Sequence, residues 1–184
     1  MASAPTDPGR RGSAWLRRAG YSLALAVALG GWRALDSSAR THMFLINRSP
    51  SLPNWAYVVE RGVLPARGQI GFFMPPRSKL VVAHFGKVPA PFGKIVYGVP
   101  GDRIERRGSR VFVVPGGTGI PLEVGLLKPR TVWGEPLAPG PVGIVPSGCY
   151  YMGSPHKDGF DSRYAAIGFI CVRQIVGTAR RAIL

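Results

Sequence analysis

Downstream of residue 42 the apolar positions fall into short runs rich in Val, Ile, Phe and Tyr, set off by Gly and Pro. That pattern predicts strands, since β-branched and aromatic side chains suit a pleated surface while Gly and Pro punctuate it. The expected strands are Met43–Asn47, Tyr57–Glu60, Gln69–Met74, Leu80–His84, Ile95–Val99, Arg110–Val114, Thr131–Trp133, Gly143–Val145, Tyr150–Gly153 and Phe169–Val176. Turn signals lie between them at Pro75-Pro76, Pro100-Gly101-Asp102 and Pro115-Gly116-Gly117. Gly116 to Lys128 reads as a loop or insertion. Neither heptads nor an internal repeat occurs. The chain is therefore expected to be mainly β, a β-rich globular unit behind one N-terminal helix.

That helix is the run Ala19 to Leu35, AGYSLALAVALGGWRAL, interrupted by Arg33. Its 17 residues sit at the lower limit for a membrane span, which takes about 20. Trp15 and Trp32 bracket it as interfacial aromatics would. Arg33 could snorkel from the far end. Arg10, Arg11, Arg17 and Arg18 precede it, which predicts a cytoplasmic N-terminus and an exported remainder. The expected organisation is a basic N-terminus at 1–18, a transmembrane anchor at 19–35, and an exported β domain at 36–184. A cleaved secretory signal is the rival, with Ser37-Ser38-Ala39 as a weak cleavage site; a buried core helix is another.

Charge narrows the partners. With 24 Lys+Arg against 9 Asp+Glu, the net charge of +15 suits nucleic acid or an anionic membrane surface. Arg103, Arg106, Arg107 and Arg110 are the local cluster away from the N-terminus, and no basic run interleaves with aromatics. Direct nucleic-acid binding is therefore not expected, and the inner membrane is. Cys149 and Cys171, the two cysteines, form a candidate disulfide in an exported domain; two buried thiols are the alternative. Two thiols and three scattered histidines make a closed four-ligand zinc site unexpected. No metal or cofactor is expected.

Exported β domains can carry a serine nucleophile, which needs a base at neutral pH. Lysine can serve if burial depresses its pKa. Of Lys79, Lys87, Lys94, Lys128 and Lys157, Lys94 has the most apolar context, IVYGV, and on a strand shares a face with Val96 and Gly98. The bland alternative is a strand-end lysine with its amine in water. A Ser–His–Asp triad through His156 and Asp158 lacks a supporting G-x-S-x-G signature.

Four segments, in order, resemble the signal peptidase I family. KIVYGVPGDRI, Lys94 to Ile104, matches its lysine four residues before G-x-P-G-D. GSPHKDGFDSRY, Gly153 to Tyr164, resembles its late Asp-Ser-Arg motif. IGFICVRQIVGTA, Ile167 to Ala179, resembles its closing strand. NRSPSLPNWAY, Asn47 to Tyr57, is similar to the serine segment of the TraF-type branch, in which Ser is followed by x-Pro. The resemblance implies a signal-peptidase-like β domain with Ser51 as nucleophile and Lys94 as general base. It implies an oxyanion hole from Ser49 and the N–H of Ser51. Gly98, Pro100, Gly101 and Asp102 would form the turn fixing the lysine strand, and Gly153, Asp161, Ser162 and Arg163 would shape the site. Ser49 is the alternative nucleophile, but Pro50 then follows at once. Two positions depart from the family: Gly159 stands where a serine usually supports the lysine, and Ser154 replaces an aspartate. Ser162, Ser49 or a water would then have to orient Lys94.

The implied substrate is an exported precursor, a pilin in the TraF branch, cleaved near the membrane, with transfer-apparatus proteins as further partners. Phe72, Phe73, Val81 and Val82 are candidate walls of a pocket for small side chains. A general leader peptidase and a non-catalytic scaffold of a transfer apparatus are the competing readings.

Overall fold

The computed structural model describes residues 9–183. The chain divides into two compact units, Met1–Thr41 and His42–Leu184.

The first unit is helix α1, Gly9–Thr41. It outruns the apolar segment at both ends, with four arginines, good helix formers, in its N-terminal flank. Near its end Arg40 pairs with Asp36 one turn back at 2.7 Å. Leu23, Leu25, Val27 and Leu29 are all exposed. Gly20, Gly30, Gly31 and Arg33 dilute the apolar run, and among the described residues no helix is long and apolar enough to cross a membrane.

The second unit is mainly β. A seven-stranded sheet has the order β1-β2-β11-β3-β4-β9-β10, and a four-stranded sheet the order β7-β6-β5-β8. In the first, β1 is His42–Ile46, β2 Ala56–Arg61, β3 Ile70–Phe73, β4 Phe92–Gly98, β9 Cys149–Gly153, β10 Ile170–Cys171 and β11 Ile175–Ile183. In the second, β5 is Arg103–Arg107, β6 Arg110–Val114, β7 Leu122–Leu126 and β8 Gly143–Ile144. Every paired strand is antiparallel. The C-terminal β11 inserts between β2 and β3, and a Cβ at Gly177 would lie 2.1 Å from the Glu60 carbonyl oxygen, so that crossing requires glycine.

Three apolar clusters hold the sheets. One gathers Phe73, Val81, Val96, Met152 and Ile170, a second Ile104, Val113, Val124 and Tyr151, and a third Leu52, Tyr57, Val59 and Phe72. Each such side chain contributes roughly 1.5–3 kcal/mol on burial. Cys149 and Cys171 face each other across β9 and β10 and form a disulfide.

Four expectations are corrected. Leu80–His84 is not a strand but lies in helix α2, Lys79–Phe85, whose N-cap Ser78 accepts the Val81 N–H at 3.3 Å. Runs this short cannot be told apart by periodicity, and the cap after Pro75-Pro76 decides it. Thr131–Trp133 is a turn between Arg130 and Pro136, which pair as an isolated bridge, and the Thr131 hydroxyl accepts the N–H groups of Trp133 and Glu135. The run Phe169–Val176 is broken by a 3-10 turn at Val172–Gln174, where the Gln174 side chain accepts the Cys171 N–H at 3.0 Å. The region Gly116–Lys128 is not all loop, since it contains β7. Strand β5, RIERR, escapes notice because Ile104 is its one apolar residue.

Candidate active site

The serine segment runs from the end of β1 to the start of β2 and is closed by Asn47. Its N–H donates to the Trp55 carbonyl at 2.6 Å, and its Nδ2 donates to the carbonyls of Leu52 (3.0 Å) and Asn54 (2.9 Å). Its Oδ1 accepts the Ser49 N–H at 3.3 Å, an Asx turn ahead of Pro50. Tyr57, buried at the other end, accepts the Asn54 N–H through its hydroxyl at 3.2 Å. Within this frame the Ser49 and Ser51 hydroxyls are hydrogen-bonded at 2.8 Å.

Lys94 lies on β4 with its side chain inward, on the face of Val96 and Gly98, and is 5% exposed. Gly71 lies opposite it on β3. The two elements meet at adjacent residues: a Cβ at Gly93 would come within 2.9 Å of Leu52 and 2.7 Å of Phe72, so glycine there lets the serine segment sit on the lysine strand. Burial pushes the Lys94 amine below its ordinary value; Asp161 opposes the shift and Arg163 adds to it. Among the described residues the amine has no hydrogen-bond partner, yet no buried side-chain nitrogen or oxygen is left unsatisfied, so the amine reaches solvent. The surface it reaches is a cavity of about 860 Å³ that Ser49, Ser51 and Lys94 all line. Neither serine suggested by the sequence holds the amine: Ser49 bonds Ser51, and Ser162 accepts the Met152 N–H at 3.1 Å.

The Pro-Gly-Asp segment is a tight turn closing β4. The Asp102 N–H donates to the Val99 carbonyl at 3.1 Å, with Pro100 and Gly101 (φ +88°) between them. Proline then glycine at positive φ is the type II arrangement. Asp102 is buried. Burial would raise its carboxyl, but the Arg67 guanidinium and the N–H groups of Val99 (2.7 Å) and Gly116 (2.9 Å) outweigh that and hold it below the usual carboxylate range. Gly98 abuts the Tyr151 Cβ, and Gly153 packs on Val124, so both need the small residue.

The late motif is wholly buried. Asp161 and Arg163 form a bidentate pair, Nε to Oδ1 at 2.8 Å and Nη2 to Oδ2 at 2.7 Å. The guanidinium also donates to the carbonyls of Leu126, Ser154 and Gly159. A Cβ at Gly159 would lie 2.5 Å from Arg163 Nη2 and 2.9 Å from Asp161 Oδ2. In this arrangement the ion pair occupies the space that a side chain at 159 would need. Ser154 is fully buried, takes the Asp161 carboxylate on its N–H at 3.0 Å, and donates its hydroxyl to the Ser51 carbonyl at 2.7 Å.

The cavity walls differ from expectation. Phe72 lines it, but Phe73 and Val81 are fully buried in the core, and Val82 is not part of the lining. Apolar walls come instead from Leu80, Phe85, Phe92, Trp133, Leu137 and Phe160. Trp133 stacks on His84 at 4.0 Å, and His84 pairs with Glu135, tying the 130–136 turn to α2. Asp158 is taken by Lys128 and Lys157, which hold its carboxyl down at about 2, while His156 Nδ1 accepts the Asp158 backbone N–H. No His–carboxylate relay is built from that pair.

Sequence reasoning missed the contacts of Asn47, Arg67 and Ser154. The Asn-x-Ser-Pro spacing was a usable signal for Asn47. Arg67 and Ser154 act across 35 and 103 residues and leave no local trace.

Residues 17–184 match the signal peptidase, peptidase S26 family. The chain is 31% identical over 180 residues to a probable conjugal transfer protein TraF of Sinorhizobium fredii (strain NBRC 101917 / NGR234), covering 91% of this chain and 92% of that protein. Among solved structures it is similar to a signal peptidase I from Enterococcus faecalis V583, with 21% identity, a TM-score of 0.35, and coverage of 62% of this chain and 96% of that one. The buried Asp-Ser-Arg motif, the turn after the lysine strand and the serine segment thus occur in a chain that belongs to the signal peptidase family S26, a class of serine peptidases.

Proposed function

We propose that this chain is a membrane-associated serine endopeptidase that processes an exported precursor of pilin type during conjugative transfer. One observation carries the catalytic part: a lysine buried on a strand, without an ion-pair partner, opens onto the same cavity as Ser51. In this reading Ser51 Oγ gives its proton to neutral Lys94 Nζ and attacks the scissile carbonyl. The oxyanion is met by the Ser51 N–H and the Ser49 hydroxyl, each donor worth roughly 3–4 kcal/mol in the transition state. The C–N bond then breaks as Lys94 returns the proton to the leaving amine, and water releases the acyl group by the reverse sequence. The setting in conjugative transfer is supported by the relative named for it, and the pilin-type substrate by the resemblance to the TraF branch.

The apolar run of α1 is proposed to hold the enzyme at the inner membrane, with its basic N-terminus cytoplasmic and the β unit periplasmic. The Cys149–Cys171 disulfide suits that oxidising side. Two experiments test the reading. Ser51→Ala and Lys94→Met variants should leave a co-expressed pilin precursor unprocessed; full processing by either overturns the dyad. The wild-type chain should stay in the pellet on alkaline carbonate extraction; release to the supernatant overturns the anchor.

A further inference from the structure

We propose that Ser154 is a positioning residue for the nucleophile, linking the buried Asp161–Arg163 pair to the backbone of Ser51. The inference rests on the proposed role of Ser51. Every polar atom of Ser154 is engaged: its N–H donates to Asp161 Oδ2 at 3.0 Å, and its carbonyl accepts from Arg163 Nη2 at 3.2 Å. Its hydroxyl accepts the His156 N–H at 3.2 Å and donates to the Ser51 carbonyl at 2.7 Å. The side chain is 0% exposed, so no water competes for its hydroxyl.

Holding that carbonyl fixes rotation about the Cα–C bond of Ser51. Asn47 holds the next carbonyl, that of Leu52, and Ser49 holds the Ser51 hydroxyl. The nucleophile is thus held through its own hydroxyl and through two successive carbonyls, and Ser154 is the grip that comes from the far end of the chain. The aspartate that resembles this position in the family could not do this: an ionised carboxylate has no proton to offer a carbonyl. The departure at Ser154 is a change from acceptor to donor. A misplacement of about 1 Å at a reacting group costs on the order of 100-fold in rate.

The test compares Ser154→Ala, Ser154→Thr and Ser51→Ala in the full chain. The probe is a fluorogenic peptide with Ala at the first and third positions before the scissile bond. Ser154→Ala is expected to lower kcat by about 10- to 100-fold, leave KM within about twofold, and keep the pH midpoint of the rate unchanged. Ser154→Thr, which keeps the donor, is expected to recover kcat to within about threefold of wild type. If threonine prevents folding, Ser154→Cys replaces it and should fall between wild type and Ser154→Ala. A Ser154→Ala kcat within twofold of wild type overturns the proposal, as does a loss that merely follows the unfolded fraction, or a donor variant no better than alanine. Cleavage by Ser51→Ala would instead overturn the assignment of the nucleophile, which keeps the two failures apart.

Discussion

Replacing Asp161 by Asn perturbs stability and catalysis in directions that the structure fixes separately. The carboxylate is fully buried and accepts four N–H groups: Ser154 N, Arg163 N, Arg163 Nε and Arg163 Nη2. The amide keeps the shape but removes the charge, leaving the Arg163 guanidinium buried at 2% exposure without its counter-ion. Removing one partner of such a pair costs about 3–5 kcal/mol. For a folded unit of this size one kcal/mol moves the melting temperature by about 3 °C, so a fall of about 10–15 °C is expected. The second effect concerns Lys94. Asp161 raises its pKa while burial and Arg163 lower it, so loss of the Asp161 charge drives the amine further down. Under the proposed mechanism the rate rises with pH as Lys94 loses its proton, and in the variant it should do so at a lower pH than in the wild type. Thermal unfolding by circular dichroism reads the first effect, and kcat/KM across pH, measured below the variant's melting range, reads the second. An unchanged melting temperature would refute the account of the pair. A midpoint that moves up would refute the account of Lys94.

Three further outcomes are expected. In the wild type kcat/KM should rise with pH through a midpoint below the ordinary lysine value of about 10.4, because burial disfavours the ammonium; a flat profile from about pH 5 to 9 would indicate another base. Asp102→Asn should cost about 2–3 kcal/mol at pH 7 in denaturant unfolding. The folded carboxyl lies below its unfolded value of about 3.9, so its stabilisation is present above that value and lost as pH falls through the folded one; the gap between variant and wild type should close in acid. Gly159→Ser should destabilise by about 2–3 kcal/mol, as overpacking does, and should not raise activity, since its Cβ meets the Arg163–Asp161 pair; a stable and faster variant would refute the steric reading.

What the sequence revealed depended on how local the determinant is. Strands such as β4 and β9 were legible because apolar runs end at Gly or Pro. The burial of Lys94 on a strand was legible from its apolar context, and the turn after it from Pro-Gly-Asp. Ser51 is singled out as the proposed nucleophile through resemblance alone, because a Ser-Pro-Ser loop has no intrinsic signature. Helix α2 was misread because LVVAHF favours strand locally, and the cap at Ser78 and burial of Val81 override that preference. Strand β5 was missed because its alternation rests on charged residues packing one isoleucine inward. Arg67 on Asp102 and Ser154 on Ser51 were beyond reach, since topology brings them together and spacing does not. Gly159 departs from the motif, and in this structure the ion pair fills the space beside it.

In the proposed mechanism Ser51 becomes acylated by a precursor while Lys94 takes its proton. Acid-quenching the full chain during turnover of a precursor peptide, followed by tryptic digestion and tandem mass spectrometry, tests it most directly. The account predicts the acyl mass on the peptide Ser49–Arg61, localised to Ser51, in the wild type and its absence in Lys94→Met. An acyl group on Ser49 or outside that peptide, or undiminished acylation in Lys94→Met, would contradict it.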